Sequence, residues 1–223
     1  MTVPRRTDFA VPQHWIVVTA VLFVLTFVIG FVVKLVPAIG VAQLPLDLAM
    51  NQRHTSMLDT VSLALDKLDQ PVVAGAILVV VFGIMWLLKG WRRALGVCVV
   101  TGAGWLTCLV VKYVVHLPRP DLNDVPHQLL KSASTLSYPS GHVAFVAALG
   151  AALFLVVSRQ ATRAVIAIVF GLMAVVVAAS RLYLGVHYLT DTAGGLLNGV
   201  AGVLLFAGLW NLLANRVLRP NRH

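Results

Sequence analysis

The sequence is poor in charged residues. Lys, Arg, Asp and Glu make up 11% of the 223 residues, whereas about a quarter is usual in soluble proteins. Hydrophobic residues make up 59%, and the mean hydropathy is +0.90. A chain of this length has too little polar surface to enclose several long apolar helices in water. The composition therefore predicts an integral membrane protein.

Cysteine is also scarce. Cys98 and Cys108 fall in one apolar segment, ten residues and therefore about 15 Å apart along a helix. That separation excludes a disulfide bond between them. No spacing of ligand residues in the chain is typical of a zinc site, so the sequence predicts neither a metal nor a cofactor.

Six apolar segments predict membrane-spanning helices, because about 20 apolar residues cross the hydrocarbon core. They are residues 15–33, 72–88, 94–115, 143–157, 164–184 and 193–214. The fourth has 15 residues and crosses only if the preceding segment 138–142 enters the bilayer or the membrane thins locally. The expected fold is all-α, a six-transmembrane helical bundle. Because no internal repeat or linker divides the chain, residues 1–223 are expected to form one domain.

A signal peptide is the alternative interpretation of the N-terminus. Arg5 and Arg6 precede the first apolar run, and residues 40–42 resemble a cleavage site. The run is longer than the roughly 7–15-residue apolar core of signal peptides, so we interpret it as a retained span.

The distribution of Lys and Arg predicts the orientation. Ten fall on the face that carries both termini: Arg5, Arg6, Lys89, Arg92, Arg93, Arg159, Arg163, Arg216, Arg219 and Arg222. Seven fall on the other: Lys34, Arg53, Lys67, Lys112, Arg119, Lys131 and Arg181. Three of the seven belong to the candidate site described below, which leaves a bias of ten to four. The positive-inside rule then puts both termini in the cytoplasm and the site outside the cell membrane. The net charge of +9 indicates contact with anionic lipids and gives no reason to expect nucleic acid.

The first external loop, residues 34–70, contains apolar residues at helical spacing. Met57, Val61, Leu65 and Leu68 share one face, and Ser56 with Asp59 resembles a capping box. The pattern predicts an amphipathic helix at the interface. Such a helix either covers the bundle or forms a lip beside the lipid entrance.

Small residues are concentrated in the fourth and sixth predicted spans. Surfaces of this kind allow helices to approach closely. Gly195 and Gly199 in the sixth span pack either inside the bundle, which is the commoner use, or in a homodimer.

Polar residues at the ends of the apolar segments suggest an anion site. Lys112 and Arg119 lie two helical turns apart where Pro118 and Pro120 end the third span. Residues 139–142 precede the fourth span, so their N–H groups and the helix dipole favour an anion. Ser140 supplies a hydroxyl group there, and Gly141 allows close approach.

The end of the fifth span contributes three further ionisable residues. Arg181 adds a cation, and Asp191 follows His187 by four residues, the spacing that places a carboxylate beside an imidazole. Ionisable groups at this depth are costly and point to function. Three cations and a hydroxyl suit a phosphate, while His187 and His142 suit a nucleophile and a general acid. Individually, Arg181 could snorkel, His142 could start a helix and Asp191 could cap one.

These residues form three ordered motifs, Lys112 with Arg119-Pro120, Tyr138-Pro-Ser-Gly-His142, and Ser180-Arg181 with His187 and Asp191. The chain resembles the type 2 phosphatidic-acid phosphatase superfamily, which includes vanadium haloperoxidases and bacterial acid phosphatases. The resemblance extends from Lys112 onward, and the first 110 residues carry no signature. It implies hydrolysis of a phosphate ester without metal: His187 attacks phosphorus, Asp191 orients it, and His142 protonates the leaving group. Phosphate oxygens would be held by Lys112, Arg119, Ser140, Gly141 and Arg181.

The resemblance also implies a lipid substrate that enters sideways from the membrane. Bacterial members of this kind act on undecaprenyl pyrophosphate, phosphatidylglycerol phosphate, phosphatidic acid or the lipid A phosphate, and we favour the first two. The loop 121–137 is expected to shape leaving-group choice through Asp121, Asn123, Asp124, His127 and Lys131. A phosphotransferase and an anion or lipid transporter are the alternative functions.

Overall fold

In the computed structural model of the chain, the described residues are 8–121, 126–130 and 136–217. Several residues named above lie outside these ranges: Arg5, Arg6, Asn123, Asp124, Lys131, Arg219 and Arg222. Within the described ranges the structure is helical, and its extended pairing is one isolated bridge between Pro118 and Leu136. The all-α prediction is confirmed.

The described ranges contain eight helices. In chain order they are α1 (Trp15–Leu35), α2 (Pro37–Asn51), α3 (Ser56–Leu65), α4 (Pro71–Lys89), α5 (Trp91–Val115), α6 (Gly141–Val156), α7 (Gln160–Tyr183) and α8 (Leu189–Val217).

Five of these helices, α1, α4, α5, α7 and α8, are long and apolar enough to cross a membrane. Their outward faces are strongly apolar; Leu87 on α4, for example, is 89% exposed. Together with the relatives described below, these helices make the chain a multi-pass membrane protein. The predicted fourth span corresponds to α6, which has 16 residues and is shorter than the other five.

Helix α6 lies at the centre of the bundle. It packs against α5, α7 and α8, and most of its residues are buried, including consecutive residues from Gly141 to Gly150. Because other helices surround α6 on nearly every side, its sequence is rich in Ala, Val and Gly. Added Cβ atoms at Gly195 and Gly199 of α8 would lie 2.5 Å from the carbonyl oxygens of Ser140 and Ala144. Internal packing against α6 therefore accounts for both glycines.

One end of the bundle is held together by the N-terminal segment. Asp8 accepts hydrogen bonds from Arg92 Nε at 2.9 Å and Trp210 Nε1 at 3.1 Å. Asn211 binds the backbone of Phe9, and Ala10 N donates to Leu155 O at 2.7 Å. The α4–α5 turn, the ends of α6 and α8 and the N-terminal segment thus share one end. The residues of the candidate site lie at the opposite ends of these helices.

Two helices, rather than the single one expected, occupy the first loop. Helix α2 was not predicted; it starts with Pro37 and contains Pro45. Helix α3 is capped by Thr55, whose hydroxyl accepts from Leu58 N at 3.2 Å, so the proposed capping pair at Ser56 was wrong by one residue.

The four apolar residues expected on one face of the first-loop helix lie in different environments. Met57 is 75% exposed and Val61 40%, whereas Leu65 and Leu68 pack against a cluster that includes Val143 and Val177. The interfacial amphipathic character expected of this segment therefore remains a prediction.

Asp47 of α2 is an unpaired buried carboxylate. It is 2% exposed, and within the described ranges its oxygens have no hydrogen-bond partner. Two causes raise the pKa of Asp47 to about 7: burial, which is the larger, and the negative charge of Asp191. In the unfolded chain this carboxyl titrates near 4. The folded state therefore loses stability as the pH rises from about 4, and the loss is complete above about 7.

We expect Asp47→Asn to stabilise the protein above pH 7 by on the order of 2–4 kcal/mol, because the amide never ionises. The measurement is the thermal midpoint of the detergent-solubilised protein at pH 8 and at pH 5. The gain should be larger at pH 8. An equal gain at both values would show that packing, not ionisation, is responsible.

Candidate active site

The first motif is held by a sharp end to α5. Lys112 lies in the last turn, and His116 adopts the left-handed conformation (φ 53°) that turns the chain away from the helix. Lys112 Nζ donates to the carbonyl oxygens of Leu136 at 3.1 Å and Ser137 at 3.2 Å. Arg119 Nε donates to the same Leu136 oxygen at 3.3 Å. The two cations therefore converge on Leu136 O, as predicted. They do so through the turn at His116, because α5 ends less than two helical turns after Lys112.

The second motif is fixed from both sides. Tyr138 is fully buried, and its hydroxyl donates to Thr26 O at 2.5 Å. A Cβ at Gly194 would lie 2.5 Å from the Tyr138 ring, so α8 needs glycine there for the ring to fit. Trp105 Nε1 donates to Gly141 O at 3.1 Å. These contacts set the start of α6, where the anion-binding N–H groups were expected.

Ser140 directly precedes α6. Its backbone N–H donates to Asp191 O at 2.9 Å, which joins the second motif to the third. Its hydroxyl is buried and has no hydrogen-bond partner within the part of the chain that the structure describes. A hydroxyl in that position suits a ligand oxygen.

Arg181 is completely buried at the end of α7. Its Nη1 pairs with Asp66 Oδ1, and its Nη2 donates to Ser62 O at 3.0 Å. The same Nη1 lies 3.3 Å from His142 Nε2. A snorkelling side chain would be exposed, so the structure excludes that alternative for Arg181.

His187 and Asp191 form a buried pair. His187 Nδ1 lies 3.2 Å from Asp191 Oδ2, and the two side chains are 1% and 0% exposed. Asp191 Oδ2 also accepts from Tyr188 N at 2.9 Å. This contact uses Nδ1, and Nε2 is the other nitrogen of the ring. Burial, together with the cations Arg119 and Lys112, holds the pKa of His187 well below its ordinary value, which keeps the ring neutral.

Two carboxylates of the first loop, Asp66 and Asp69, also reach the site. His142 Nε2 lies 3.0 Å from Asp69 Oδ1 and 3.0 Å from the carbonyl oxygen of Asp66. Burial alone would raise the pKa of Asp69, but its contact with His142 and the charges of Arg181 and Arg119 lower it. No motif marks these residues, and more than 70 positions separate them from His142.

The eight residues predicted from sequence thus belong to one connected cluster. Lys112 and Arg119 contact the chain beside Tyr138, Arg119 Nη1 donates to Val186 O next to His187 at 3.2 Å, and Ser140 contacts Asp191. Arg181 joins it through its contact with His142, and Gly141 precedes His142 at the start of α6. Three cations, a hydroxyl, a helix start and two imidazoles in one place form a cradle suited to a phosphoryl group.

Two cavities adjoin the cluster. The larger, 380 Å³, is apolar, runs between α7 and α8, and includes Val143, Leu189 and Thr192, which neighbour the two histidines and Asp191 in sequence. The smaller, 180 Å³, is lined by Asp69, Lys112, Gly141 and residues of α5.

A separate group of possible metal ligands lies outside this cluster. Donor atoms of His54, Asp59 and His127 lie within 4.8 Å of one another. The two imidazole rings are stacked 3.9 Å apart and nearly parallel, at 10°. Because a metal must lie in the plane of each ligating ring, this stack does not point both rings at one ion.

Comparisons of sequence identify relatives. Residues 93–214 match the PAP2 superfamily. The chain is 34% identical over 137 residues to phosphatidylglycerophosphatase B of Bacillus subtilis (strain 168), covering 58% of this chain and 62% of that protein. It is 35% identical over 101 residues to the putative undecaprenyl-diphosphatase YbjG of Escherichia coli (strain K12), covering 44% and 48%. The matched regions span about half to three fifths of these relatives.

Comparisons of structure agree on the fold. The crystal structure of the first transmembrane PAP2-type phosphatidylglycerolphosphate phosphatase, from Bacillus subtilis, superimposes with a TM-score of 0.71 at 24% identity, covering 86% of this chain and 94% of that one. The crystal structure of Aquifex aeolicus LpxE gives 0.53 at 18% identity, covering 74% and 94%. The matched residues 93–214 are more than half of the chain and contain all three motifs, so this chain belongs to the PAP2 superfamily.

Proposed function

We propose that this chain is a membrane lipid phosphatase that hydrolyses the terminal phosphate of a lipid phosphate or diphosphate through a phosphohistidine. The observation that carries the proposal is the buried His187–Asp191 pair, 3.2 Å apart, beside three cations and an apolar cavity. The catalytic residues would be His187, His142 and Asp191. The names of the two curated relatives, a phosphatidylglycerophosphatase and a putative undecaprenyl-diphosphatase, support the two lipids we favour.

In the first step, Nε2 of neutral His187 attacks phosphorus. Asp191 holds Nδ1–H, which orients the ring and stabilises the positive charge that the imidazole acquires. The bond from phosphorus to the leaving oxygen breaks, and that oxygen takes the proton of His142. Lys112, Arg119 and Arg181 neutralise the equatorial oxygens, while Ser140 and the N–H of Gly141 donate hydrogen bonds to them.

In the second step, water attacks the phosphohistidine. His142, now neutral, takes a proton from the water, and inorganic phosphate leaves as the bond to His187 breaks. The chain's own side chains thus supply the nucleophile, the acid and the neutralising charge, so the proposed reaction uses no metal.

The apolar cavity between α7 and α8 suits the lipid tail. Its 380 Å³ volume is lined by apolar side chains such as Ala174 and Leu196, and it extends to Val143, which follows His142 in the chain. A lipid can then present its phosphate to the cations while its chains stay in an apolar environment.

The test of this function is phosphate release from a panel of lipids by the purified protein in detergent. The panel contains phosphatidylglycerol phosphate, phosphatidic acid and a polyprenyl diphosphate, each with and without EDTA. We expect release from at least one lipid, unchanged by EDTA and inhibited by vanadate, which mimics five-coordinate phosphorus. Activity that EDTA abolishes and zinc restores would contradict the proposed mechanism.

We further propose that α6 is a sixth crossing, that both termini are cytoplasmic and that the site faces outward. The cation bias of ten to four supports this orientation. So does the contact of Asp8 with Arg92 at the bundle end opposite the site.

Sidedness is testable with single cysteines in a chain whose Cys98 and Cys108 are replaced by alanine. Met57→Cys lies on the exposed surface of α3, and Gln160→Cys at the exposed start of α7. On intact cells we expect an impermeant maleimide to label position 57 and to reach position 160 only after the membrane is opened. The reverse pattern would place the site in the cytoplasm.

A further inference from the structure

The turn between α3 and α4 brings two carboxylates to one side of the candidate site. Asp69 Oδ1 lies 3.0 Å from His142 Nε2, and Asp66 Oδ1 lies 3.9 Å from the same nitrogen. Asp69 Oδ2 lies 3.0 Å from where a Cβ of Gly141 would be, so its carboxylate rests directly on the start of α6. Both side chains are partly buried, 33% exposed for Asp69 and 27% for Asp66.

The position of these carboxylates corresponds to the leaving group. His142 Nδ1 is buried and has no partner among the described residues, so Nε2 is the atom that can pass a proton to a substrate. In the proposed mechanism that proton goes to the leaving oxygen. The carboxylates beside Nε2 therefore lie near the leaving oxygen, whereas Arg119 contacts Val186 O beside His187, where the transferred phosphoryl group would bind.

Two carboxylates and one cation lie beside Nε2 of His142. Arg181 is the cation, at 3.3 Å, and its guanidinium is paired with Asp66. The carboxylate of Asp69 lies 3.0 Å from the same nitrogen. An anionic leaving group placed here meets carboxylates at close range, and like charges at such distances repel strongly in a partly buried site.

The two classes of lipid substrate differ in this leaving group. A lipid phosphate monoester releases an alcohol, which is uncharged once His142 has protonated the alkoxide. A lipid diphosphate releases a lipid monophosphate, which is anionic and a good leaving group without a proton. A carboxylate beside His142 orients the proton donor that the first reaction needs, and its negative charge opposes the anion that the second reaction releases.

On the basis of the function proposed above, we propose that Asp69, supported by Asp66, is a specificity-determining residue that favours lipid phosphate monoesters over lipid diphosphates. Asp69, 3.0 Å from His142 Nε2, orients that imidazole toward the alkoxide and repels the phosphoryl group that links a terminal phosphate to its lipid. Of the two lipids favoured above, this selects phosphatidylglycerol phosphate. Asp66 holds Arg181 and leaves Asp69 to act on the leaving group.

The experiment compares phosphatidic acid with diacylglycerol pyrophosphate, which carry the same tail and transfer the same terminal phosphate. We expect the wild-type protein to have a kcat/KM at least about tenfold higher for the monoester. Asp69→Asn should lower this ratio by roughly tenfold or more, because the monoester loses the carboxylate that orients its acid while the diphosphate loses a repulsive charge. Asp69→Glu, which keeps the charge, should retain most of the preference.

Asp59→Asn is the matched control. It removes one carboxylate from α3, but Asp59 contacts His127 and Tyr183 and does not touch His142, so the ratio should stay unchanged. Equal losses for both substrates in Asp69→Asn would mean a structural role and would overturn the inference. A wild-type protein that prefers the diphosphate would overturn it without any variant, even if Asp69→Asn did not fold. Failure of the wild-type protein on both substrates would instead contradict the proposed phosphatase function.

Discussion

His187→Ala is expected to abolish phosphate release, with kcat falling by at least roughly 10⁴-fold. The imidazole is the proposed nucleophile, and alanine leaves no atom that can form the covalent intermediate. The His187 side chain is 1% exposed and small enough that the fold should tolerate its truncation. Steady-state release from the best lipid of the panel is the primary measurement. Rapid acid quench of the wild-type protein should trap labelled phosphate on His187, identified by peptide mapping.

His14→Ala is the control for this experiment. His14 lies exposed before α1, at the bundle end opposite the proposed cluster. Activity near the wild-type value is expected for it. If His187→Ala turned over lipid as fast as His14→Ala, the nucleophile would have to be another group.

Arg181→Ala is expected to reduce both activity and stability. The guanidinium is completely buried, and its loss leaves Asp66 unpaired and Ser62 O without its donor. Breaking such a pair costs about 3 kcal/mol, toward the lower end of the usual range because Asp66 is 27% exposed. In the proposed mechanism Arg181 faces the phosphoryl oxygens, so its loss should lower kcat/KM by roughly 10²–10³-fold. The measurements are the thermal midpoint in detergent and lipid turnover.

The double variant Arg181→Ala, Asp66→Ala separates the two effects. Removal of both partners takes away the unpaired charge, so part of the thermal midpoint should return. Turnover should not recover, since no cation replaces Arg181. Recovery of both quantities together would mean that Arg181 acts only by holding α3 against α7.

Local sequence patterns predicted which residues lie together in the candidate site. Lys112, Arg119, Ser140, Gly141, His142, Arg181, His187 and Asp191 each lie at the end of an apolar segment, and they meet at one end of the bundle. Successive membrane-spanning helices run in opposite directions, so the end of one predicted span and the start of the next lie at the same side of the bilayer. The three motifs are therefore restricted to one side by their positions in the sequence. The four-residue spacing of His187 and Asp191 likewise agrees with their 3.2 Å contact.

Other features depended on contacts between distant parts of the chain. The polar segment around Asp66 and Asp69 has no pattern that distinguishes a solvent-facing turn from one folded over a buried histidine such as His142. Its position follows from packing of α2 and α3 on α7, with Arg181 pairing to Asp66 and Asn51 Nδ2 donating to Tyr183 O at 2.9 Å. Helix α2 was missed because its prolines usually end helices, although Pro37 occupies the first turn, where its missing N–H costs nothing.

Composition, apolar length and motif order by themselves determined that this is a multi-pass helical membrane protein of the PAP2 superfamily, because each of these properties is local along the chain. Only the tertiary structure decided which groups stand beside each histidine. The 16-residue α6 is accommodated because α5, α7 and α8 surround it, and the carboxylates at His142 come from a loop more than 70 residues away. Contacts of that range arise from the packing of whole helices, which no local pattern records.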